Sequence, residues 1–346
     1  MNYSISEIGP SDRRAAKELD ALLAREGIKR DAHLDYTMGL YDCDYDLVAT
    51  GSCFGNSLRC LAVDSSHQGE GLMGTVVSHL VERQIRRGIS HLFLYTKYDK
   101  AMIFGDLGFY EIACVPNLAS FMENRRRGFA DFLVGLAPFR REGTNAALVM
   151  NCNPFTLGHR YLVETASRAS DTVHLFVVSE DASLFPFADR YELVSEGCAD
   201  LKNVILHETG SYMISSAVFP SYFLKDDAAA VEVQARLDLS LFAEIARALD
   251  VTRRYAGEEP YSQVTGLYNE IMKTELPGVG IEFIEVPRRE QDGEPISASR
   301  VRQLIKGGRL EEIRPLVPET TYGYFFTERG RETIRRIEAA GEVVHH

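Results

Sequence analysis

Short apolar runs alternate with amphipathic segments through the second half of the chain. The apolar runs predict strands over residues 146–151, 172–179, 203–208, 251–256 and 281–286. Segments with helical spacing of their apolar positions lie between them, over residues 160–169, 189–200 and 239–249. This regular alternation predicts an α/β fold with a doubly wound, Rossmann-like parallel sheet, in which ligands bind at the carboxyl ends of the strands.

The first part of the chain has a different pattern. It predicts helices over 15–26 and 75–87 and strands over 45–53, 57–63 and 91–96. These elements indicate an α+β module of its own kind. We place the junction near 138–144, which gives an N-terminal domain over 1–138 and a C-terminal domain over 144–346.

Composition narrows the class of protein. The length of 346 residues favours two domains, and 45% hydrophobic with 25% charged residues is typical of a globular protein. A net charge of −12 argues against nucleic-acid binding, although it leaves room for a local basic pocket. The six cysteines show neither C-x-x-C pairing nor zinc spacing, so we expect reduced thiols, no structural metal site and a cytoplasmic location. No apolar run approaches a membrane span.

A first candidate site follows the strand at 146–151. Its residues are Asn151, Asn153, Phe155, Thr156, Gly158 and His159. The order strand, turn, helix start presents free backbone N–H groups and a positive dipole end to an anion. Gly158 would let a phosphate approach the backbone, and His159 would donate a hydrogen bond to a phosphoryl oxygen. The simpler alternative is a turn with a capping polar residue.

A second candidate site follows the strand at 281–286 and the polar loop after it. Ser297 is suited to cap the next helix, Ser299 offers a hydroxyl, and Arg300 and Arg302 offer guanidinium groups for phosphate oxygens. Taken alone, this segment is more typical of a capped surface helix with solvated arginines. Two helix starts of this type, each after a strand, favour phosphate binding.

Together these motifs resemble the nucleotidyltransferase superfamily with Thr-x-Gly-His and Ile-Ser-x-Ser-x-x-Arg type sequences. The resemblance implies that Thr156 and His159 hold the α- and β-phosphates of ATP and stabilise the transition state. It also implies that Ser297, Ser299 and Arg302 bind the outgoing phosphates. The segment 185–193, with an arginine before Glu192 and Leu193, is similar to another element of that superfamily.

In the N-terminal part, Gln68, Gly69 and Gly71 resemble the loop with which GNAT acetyltransferases bind the pyrophosphate of acetyl-CoA. Met73 stands where that loop has Gly or Ala, and we expect its side chain to obstruct a pyrophosphate. His67, Asp99 and Glu111 are candidates for a general base by residue type only. A CoA-like group is therefore a possible ligand here, without an independent acetyltransferase activity.

Two further stretches carry candidate chemistry. Residues 210–225 are rich in aromatic and hydroxyl side chains and predict a small-molecule pocket in which Lys225 meets a carboxylate or phosphate. The turn at 257–259 brings Gly257 to a strand end, with Glu258 and Glu259 suited to Mg²⁺ through water or to a ribose. An irregular packed loop and a solvated turn are the simpler readings.

The stretches 212–216 and 257–260, with both phosphate motifs and the order of the domains, resemble the citrate lyase ligase family. The resemblance implies an AMP-forming acid–thiol ligase. Acetate and ATP would give acetyl-adenylate and pyrophosphate. The prosthetic-group thiol of the citrate lyase acyl-carrier subunit would then take the acetyl group and release AMP. The resemblance to this family also implies catalytic roles for His159, Arg302 and Lys225 and a requirement for Mg²⁺.

Two other functions fit parts of the sequence. One is an adenylyltransferase of the pantetheine-phosphate or nicotinamide-mononucleotide type with a regulatory CoA-binding domain. The other is a non-enzymatic sensor that binds nucleotide or CoA and regulates a partner. An adenylyltransferase would need a nucleotide-monophosphate acceptor, whereas a sensor would bind ATP without turnover.

Overall fold

The fold was analysed in a computed structural model, which describes residues 3–32, 34–180, 183–213, 219, 222, 224, 227–259 and 262–340. The chain forms two compact units. The first contains Met1–Asp131 together with Phe219–Leu237, and the second contains Phe132–Val218 together with Asp238–His346. The units divide before the junction expected at 138–144, and a later segment of the chain packs with the first unit.

The first unit is built on a seven-stranded sheet. Its strands are β1 (Ser4–Glu7), β2 (Tyr36–Tyr41), β3 (Leu47–Phe54), β4 (Ser57–Val63), β5 (Phe93–Lys97), β6 (Tyr110–Val115) and β7 (Ala119–Glu123). Their order is β1-β2-β3-β4-β5-β7-β6, antiparallel except between β4 and β5. Its helices include α1 (Arg13–Arg25), α2 (Leu72–Arg86) and α3 (Ala101–Asp106).

Helices α1 and α2 begin and pack for identifiable reasons. Asp12 caps α1 by accepting the backbone N–H groups of the first turn, and Leu19, Leu22 and Leu23 form its buried face. Gly71, in the left-handed conformation, precedes α2. Both helices pack on β3 and β4, which gives the α+β module predicted from the sequence.

The second unit contains a five-stranded parallel sheet. Its strands are β8 (Asn145–Met150), β9 (Thr172–Val177), β10 (Val204–Glu208), β11 (Val251–Gly257) and β12 (Glu282–Val286). Their order is β10-β9-β8-β11-β12, so the order reverses beside β8. The predicted doubly wound sheet is confirmed. A short hairpin, β13 (Glu290–Gln291) and β14 (Glu294–Pro295), follows β12.

Helices cover the parallel sheet. They are α4 (Gly128–Leu136), α5 (Leu157–Arg168), α6 (Phe187–Gly197), α7 (Asp227–Leu249), α8 (Gln263–Glu275), α9 (Ala298–Lys306), α10 (Glu319–Tyr324) and α11 (Glu328–Ala339). The core on one face joins Leu148, Leu175 and Tyr255 to Val163 of α5 and Val301 of α9. The helix expected at 239–249 is only the second half of α7. In the described part of the chain, no helix is both long and apolar enough to cross a lipid bilayer.

Candidate active site

Helix α5 begins at the carboxyl end of β8 with a reciprocal cap. The Thr156 hydroxyl accepts the backbone N–H of His159 at 3.3 Å, and His159 Nδ1 accepts the backbone N–H of Thr156 at 3.1 Å. These two bonds satisfy donors that a helix start otherwise leaves unpaired. They also hold the imidazole against the first turn of α5, so Thr156 and His159 form one unit.

The cap determines the protonation of His159. Because Nδ1 accepts a hydrogen bond, the neutral ring carries its proton on Nε2. Burial, with the positive charges of Arg288 and Arg302, lowers the pKa of His159 to about 4. Near neutral pH the side chain is therefore a neutral hydrogen-bond donor through Nε2, as the sequence analysis requires.

Gly158 is needed for a reason that differs from the predicted one. A Cβ atom at this position would lie 2.8 Å from the backbone oxygen of Ile296. The glycine therefore allows the first turn of α5 to pack directly against the residue that precedes the second motif. The predicted close approach of a phosphate at Gly158 stays a prediction.

The second motif also caps its own helix. The Ser297 hydroxyl accepts the backbone N–H of Arg300 at 3.1 Å at the start of α9. One turn later, Arg302 donates to the Ser299 hydroxyl at 3.1 Å and to the backbone carbonyl of Asn153 at 2.5 Å. Arg302 is only 2% exposed, and burial lowers its pKa to about 10. Arg300 instead faces Glu294 at 3.2 Å.

The structure thus brings the two predicted motifs together at one edge of the parallel sheet. Gly158 contacts Ile296, Arg302 contacts Asn153, and Arg302 is close enough to His159 to lower its pKa. The starts of α5 and α9 and the cationic side chains of Arg288 and Arg302 lie around the ends of β8 and β12. This arrangement is suited to a polyphosphate, whose oxygens need N–H donors and positive charge.

Asn151 and Asn153 are fixed by Arg190 and Phe185, which belong to the segment 185–193 noted in the sequence. The wholly buried Arg190 donates from Nη1 to the carbonyl and Oδ1 of Asn151, each at 2.8 Å, and to the carbonyl of Val178 at 2.7 Å. Asn153 Oδ1 accepts the backbone N–H of Phe185 at 3.2 Å. Arg190 therefore joins the ends of β8 and β9. The sequence feature that points to Arg190 is its position before Glu192 and Leu193.

Phe155 is placed differently from the other predicted ATP contacts. Its side chain is wholly buried, and its ring stacks on that of His159 with centroids 6.0 Å apart. The ring also fits against Gly197, where a Cβ atom would lie 2.5 Å from it. Its aromatic ring therefore supports His159 from the core side.

The end of β11 forms the third side of the site. The Gly257 carbonyl accepts Asn269 Nδ2 at 3.0 Å, and Glu258 donates its backbone N–H to Val286 at 2.9 Å. Arg288 forms an ion pair with Glu259 and donates to the Glu258 carbonyl at 2.7 Å. Glu259 is thus engaged by an arginine, whereas the Glu258 side chain is exposed. Arg288 itself was missed, because a loop arginine carries no local sequence signal.

Lys225 and residues 214–216 lie outside the described residues, as does Pro260, so those predictions stay predictions. Among the residues that the structure does describe, no group of three His, Cys, Asp or Glu side chains is arranged to hold a metal ion.

In the first unit, the predicted loop has an open backbone. Gly69 and Gly71 have φ values of +87° and +75°, and nothing lies within 4 Å of a Cβ built on either. Gln68 is exposed. The Met73 side chain is half-buried and packs against the hydrophobic core of the first unit, and the expected obstruction stays a prediction.

The sheet of the first unit opens beyond this loop. Strands β4 and β5 pair only through Ser57 with Phe93 and Leu58 with Leu94, and they separate after that. Two aromatic residues from the later segment lie there. Phe219 packs edge-on against Tyr95 of β5 at 5.2 Å, and the Tyr222 hydroxyl accepts the backbone N–H of Cys60 of β4.

These features define an α/β protein of two units, one an α+β module and the other a Rossmann-like sheet that carries a site suited to a nucleotide polyphosphate. The model of the citrate lyase ligase C-terminal domain matches residues 145–325. The chain is 39% identical over 319 residues to citrate (pro-3S)-lyase ligase of Klebsiella pneumoniae, covering 90% of this chain and 93% of that protein. For the ligase of the same name from Escherichia coli K12, identity is 38% over 322 residues, with 90% and 92% covered. The chain belongs to the citrate lyase ligase family and is a ligase.

Similarities to solved structures fall in the first unit. The acetyltransferase of the GNAT family from Staphylococcus aureus Mu50 has 16% identity and a TM-score of 0.30, covering 36% of this chain and all of that one. The ribosomal-protein-S18-alanine N-acetyltransferase from Escherichia coli has 18% identity and a TM-score of 0.28, covering 35% and 92%.

Proposed function

We propose that this ligase uses ATP and acetate to acetylate the prosthetic-group thiol of the citrate lyase acyl-carrier subunit, through acetyl-adenylate. The observation that supports the proposal most directly is the convergence of His159 and Arg302 on one edge of the sheet. Family membership supports the ligase role. The reaction would release AMP and pyrophosphate.

In the first step, an acetate oxygen forms a bond to the α-phosphorus of ATP. The bond from that phosphorus to the bridging oxygen breaks, and its electron pair leaves with pyrophosphate. Such a transfer depends on positioning and charge neutralisation, so the protein need supply no covalent nucleophile.

The chain's own groups have distinct roles in this step. The Nε2–H of His159 donates to an α-phosphoryl oxygen as negative charge develops there. Arg302 and the Ser299 hydroxyl bind the departing β- and γ-phosphates, with the N–H groups that follow Thr156 and Ser297. Gly257 and Glu258 lie where the nucleoside would meet the end of β11.

Magnesium fits this scheme as an ion carried by ATP. The described residues offer no three-ligand cluster, so the phosphates and water would supply most of its ligands, with the exposed Glu258 within the same strand-end turn. Bound in that way, Mg²⁺ neutralises phosphate charge.

In the second step, the carrier thiolate forms a bond to the acetyl carbon. The bond from that carbon to the phosphate oxygen breaks, and AMP leaves with the electron pair; the thiol has given its proton to water before the attack. Lys225 is a proposed contact to the carboxylate or phosphate. We also propose that the open loop at Gln68, Gly69 and Gly71 binds the phosphates of the prosthetic group.

The first step is tested by acetate-dependent exchange of labelled pyrophosphate into ATP. We expect the wild type to exchange label, and His159→Ala to lose about 10²–10³-fold while its circular dichroism is unchanged. Exchange that depends on a nucleotide monophosphate instead of acetate would favour the adenylyltransferase alternative. ATP binding with no exchange would favour the sensor.

The role of the Gln68 loop is tested by separating the two steps. Gln68→Glu adds a negative charge at an exposed position. We expect acetate-dependent exchange to be unchanged, while acetyl transfer to the carrier slows. Equal rates of transfer by the variant and the wild type would remove this loop from the proposed function.

A further inference from the structure

Arg254 is a buried arginine in which two guanidinium nitrogens have no hydrogen-bond partner among the described residues. It lies in β11, in the middle of the parallel sheet, and is 5% exposed. Its Nε and Nη1 atoms are buried and have no hydrogen-bond partner among the residues that the structure describes. A buried N–H donor without an acceptor costs free energy, and more so on a charged group.

The neighbours of Arg254 compensate its charge only in part. The ring of Phe242 lies under the guanidinium, with Cζ 4.4 Å from the ring centroid. Asp238 is near, but its carboxylate accepts a hydrogen bond from the Tyr268 hydroxyl. The attraction to Asp238 and Tyr268 raises the pKa of Arg254, yet burial outweighs it and the pKa stays below its ordinary value. Asp238 offsets the charge of Arg254 electrostatically, but the buried Nε and Nη1 atoms still have no acceptor among the described residues.

This group is connected to the candidate active site through β11 and α8. Arg254 and Gly257 lie on the same strand, and Gly257 is at its carboxyl end. Asn269, the neighbour of Tyr268 on α8, donates to the Gly257 carbonyl at 3.0 Å and to Glu285 at 2.8 Å. Asn269 thus holds α8 against the strand end where the nucleotide is proposed to bind, and Tyr268 joins α8 to Asp238 of α7.

We propose that Arg254 binds the carboxylate of the small acid that the ligase activates. A small monocarboxylate supplies acceptor oxygens for the unpaired N–H groups of the guanidinium, and an oxygen that accepts from Arg254 leaves the other oxygen for attack on the α-phosphorus. The aromatic ring of Phe242 against the guanidinium favours a short acid such as acetate. This inference rests on the proposed function and adds a substrate-binding residue to it.

The test uses the full chain with Arg254→Met, which keeps most of the side-chain volume and removes the charge. We expect the KM for acetate in pyrophosphate exchange to rise at least about tenfold, the loss expected for one charged hydrogen bond, with the KM for ATP little changed. Arg253→Met is the matched control, since this neighbouring arginine forms its ion pair with Glu282 at 3.1 Å. We expect the control to keep the wild-type KM for acetate.

A second measurement does not depend on turnover. Acetate should raise the melting temperature of the wild type and of Arg253→Met, relative to sodium chloride at equal ionic strength, because a ligand stabilises the state that it binds. It should not do so for Arg254→Met. Should the methionine variant fail to fold, Arg254→Lys keeps the charge but lacks Nε, and its KM for acetate should also rise.

The outcomes separate the inference from the function on which it rests. Acetate-dependent exchange with an unchanged KM in folded Arg254→Met or Arg254→Lys would overturn the role of Arg254 and leave the ligase reaction standing. A wild type without acetate-dependent exchange would reject the reaction itself. If the wild type shows no such exchange, the melting temperature still tests the site. A rise in the melting temperature of Arg254→Met with acetate, equal to that of the wild type, would overturn the Arg254 site as well.

Discussion

Arg302 donates a hydrogen bond of 2.5 Å to the backbone carbonyl of Asn153. This bond connects helix α9 to the loop before α5, although the two residues are 149 positions apart in the sequence. The same arginine binds Ser299 and lowers the pKa of His159. One side chain thus fixes the distance between the two phosphate-suited helix starts.

His159 should not titrate near neutral pH. Its folded pKa is about 4, below the ordinary value of 6.5, so the unfolded chain binds the proton first as the pH falls. The associated stability is complete above about pH 6.5 and is lost as the pH falls toward 4. Urea unfolding between pH 7 and pH 5 should show a falling midpoint.

His174 and His207 contribute in the same direction, since burial lowers both of their pKa values to about 4. His159→Asn keeps an acceptor for Thr156 but cannot titrate, so it should reduce the pH dependence and not remove it. An unchanged slope in this variant would contradict a buried neutral His159.

Arg288→Gln should raise the pKa of His159, because the positive charge of Arg288 helps to depress it. The His159 ring is followed by NMR as the pH is lowered, and its titration should move upward in the variant. Arg289→Gln is the control, since Arg289 is exposed and does not act on His159. Equal shifts in the two variants would argue for a general charge effect.

Gly158→Ala should weaken both stability and pyrophosphate exchange. The added methyl group would meet the Ile296 oxygen at 2.8 Å and push the two loops apart, at a cost on the order of 1–3 kcal/mol. Denaturant unfolding and the exchange assay measure the two effects. Gly135→Ala in α4 is the matched control, because nothing lies within 4 Å of its added Cβ and a helical alanine should be neutral or stabilising.

Arg190→Met should destabilise the second unit strongly. The wholly buried guanidinium donates to backbone carbonyls from the ends of both β8 and β9, which methionine would leave unpaired. We expect a loss of about 3–5 kcal/mol in the free energy of unfolding, the range for removing one partner from a buried charged group. Arg168→Met, at an exposed position, should change it by less than about 0.5 kcal/mol.

Tyr222→Phe isolates one hydrogen bond in the first unit. The ring is kept, but the backbone N–H of Cys60 loses the hydroxyl that accepts it beside the opening between β4 and β5. We expect a loss of about 1–2 kcal/mol in urea unfolding. A variant as stable as the wild type would show that water or another acceptor replaces the hydroxyl.

The sequence predicts the parallel sheet and the two capped helix starts because their signals are local. Apolar runs mark β8–β12, and Thr156 and Ser297 are helix-capping residues at the positions where α5 and α9 begin. By contrast, β1 was not predicted because all four of its residues are exposed and show no apolar alternation.

What the sequence does not predict depends on contacts between distant residues. The need for glycine at 158 comes from Ile296, and the role of Arg190 comes from the carbonyl groups of Asn151 and Val178. Arg288 acts on His159 through space. None of these contacts has a fixed spacing along the chain, so no sequence motif predicts the contacts themselves.

The membership of Phe219–Leu237 in the first unit constrains how the protein is made. A ribosome finishes residues 1–131 long before it supplies the segment that completes their packing. The first unit therefore stays incomplete, with the backbone N–H of Cys60 still lacking the Tyr222 hydroxyl, while the intervening polypeptide is synthesised. Unlike a domain that matures in strict N-to-C order, it should acquire full protease resistance only in nascent chains extended past residue 237.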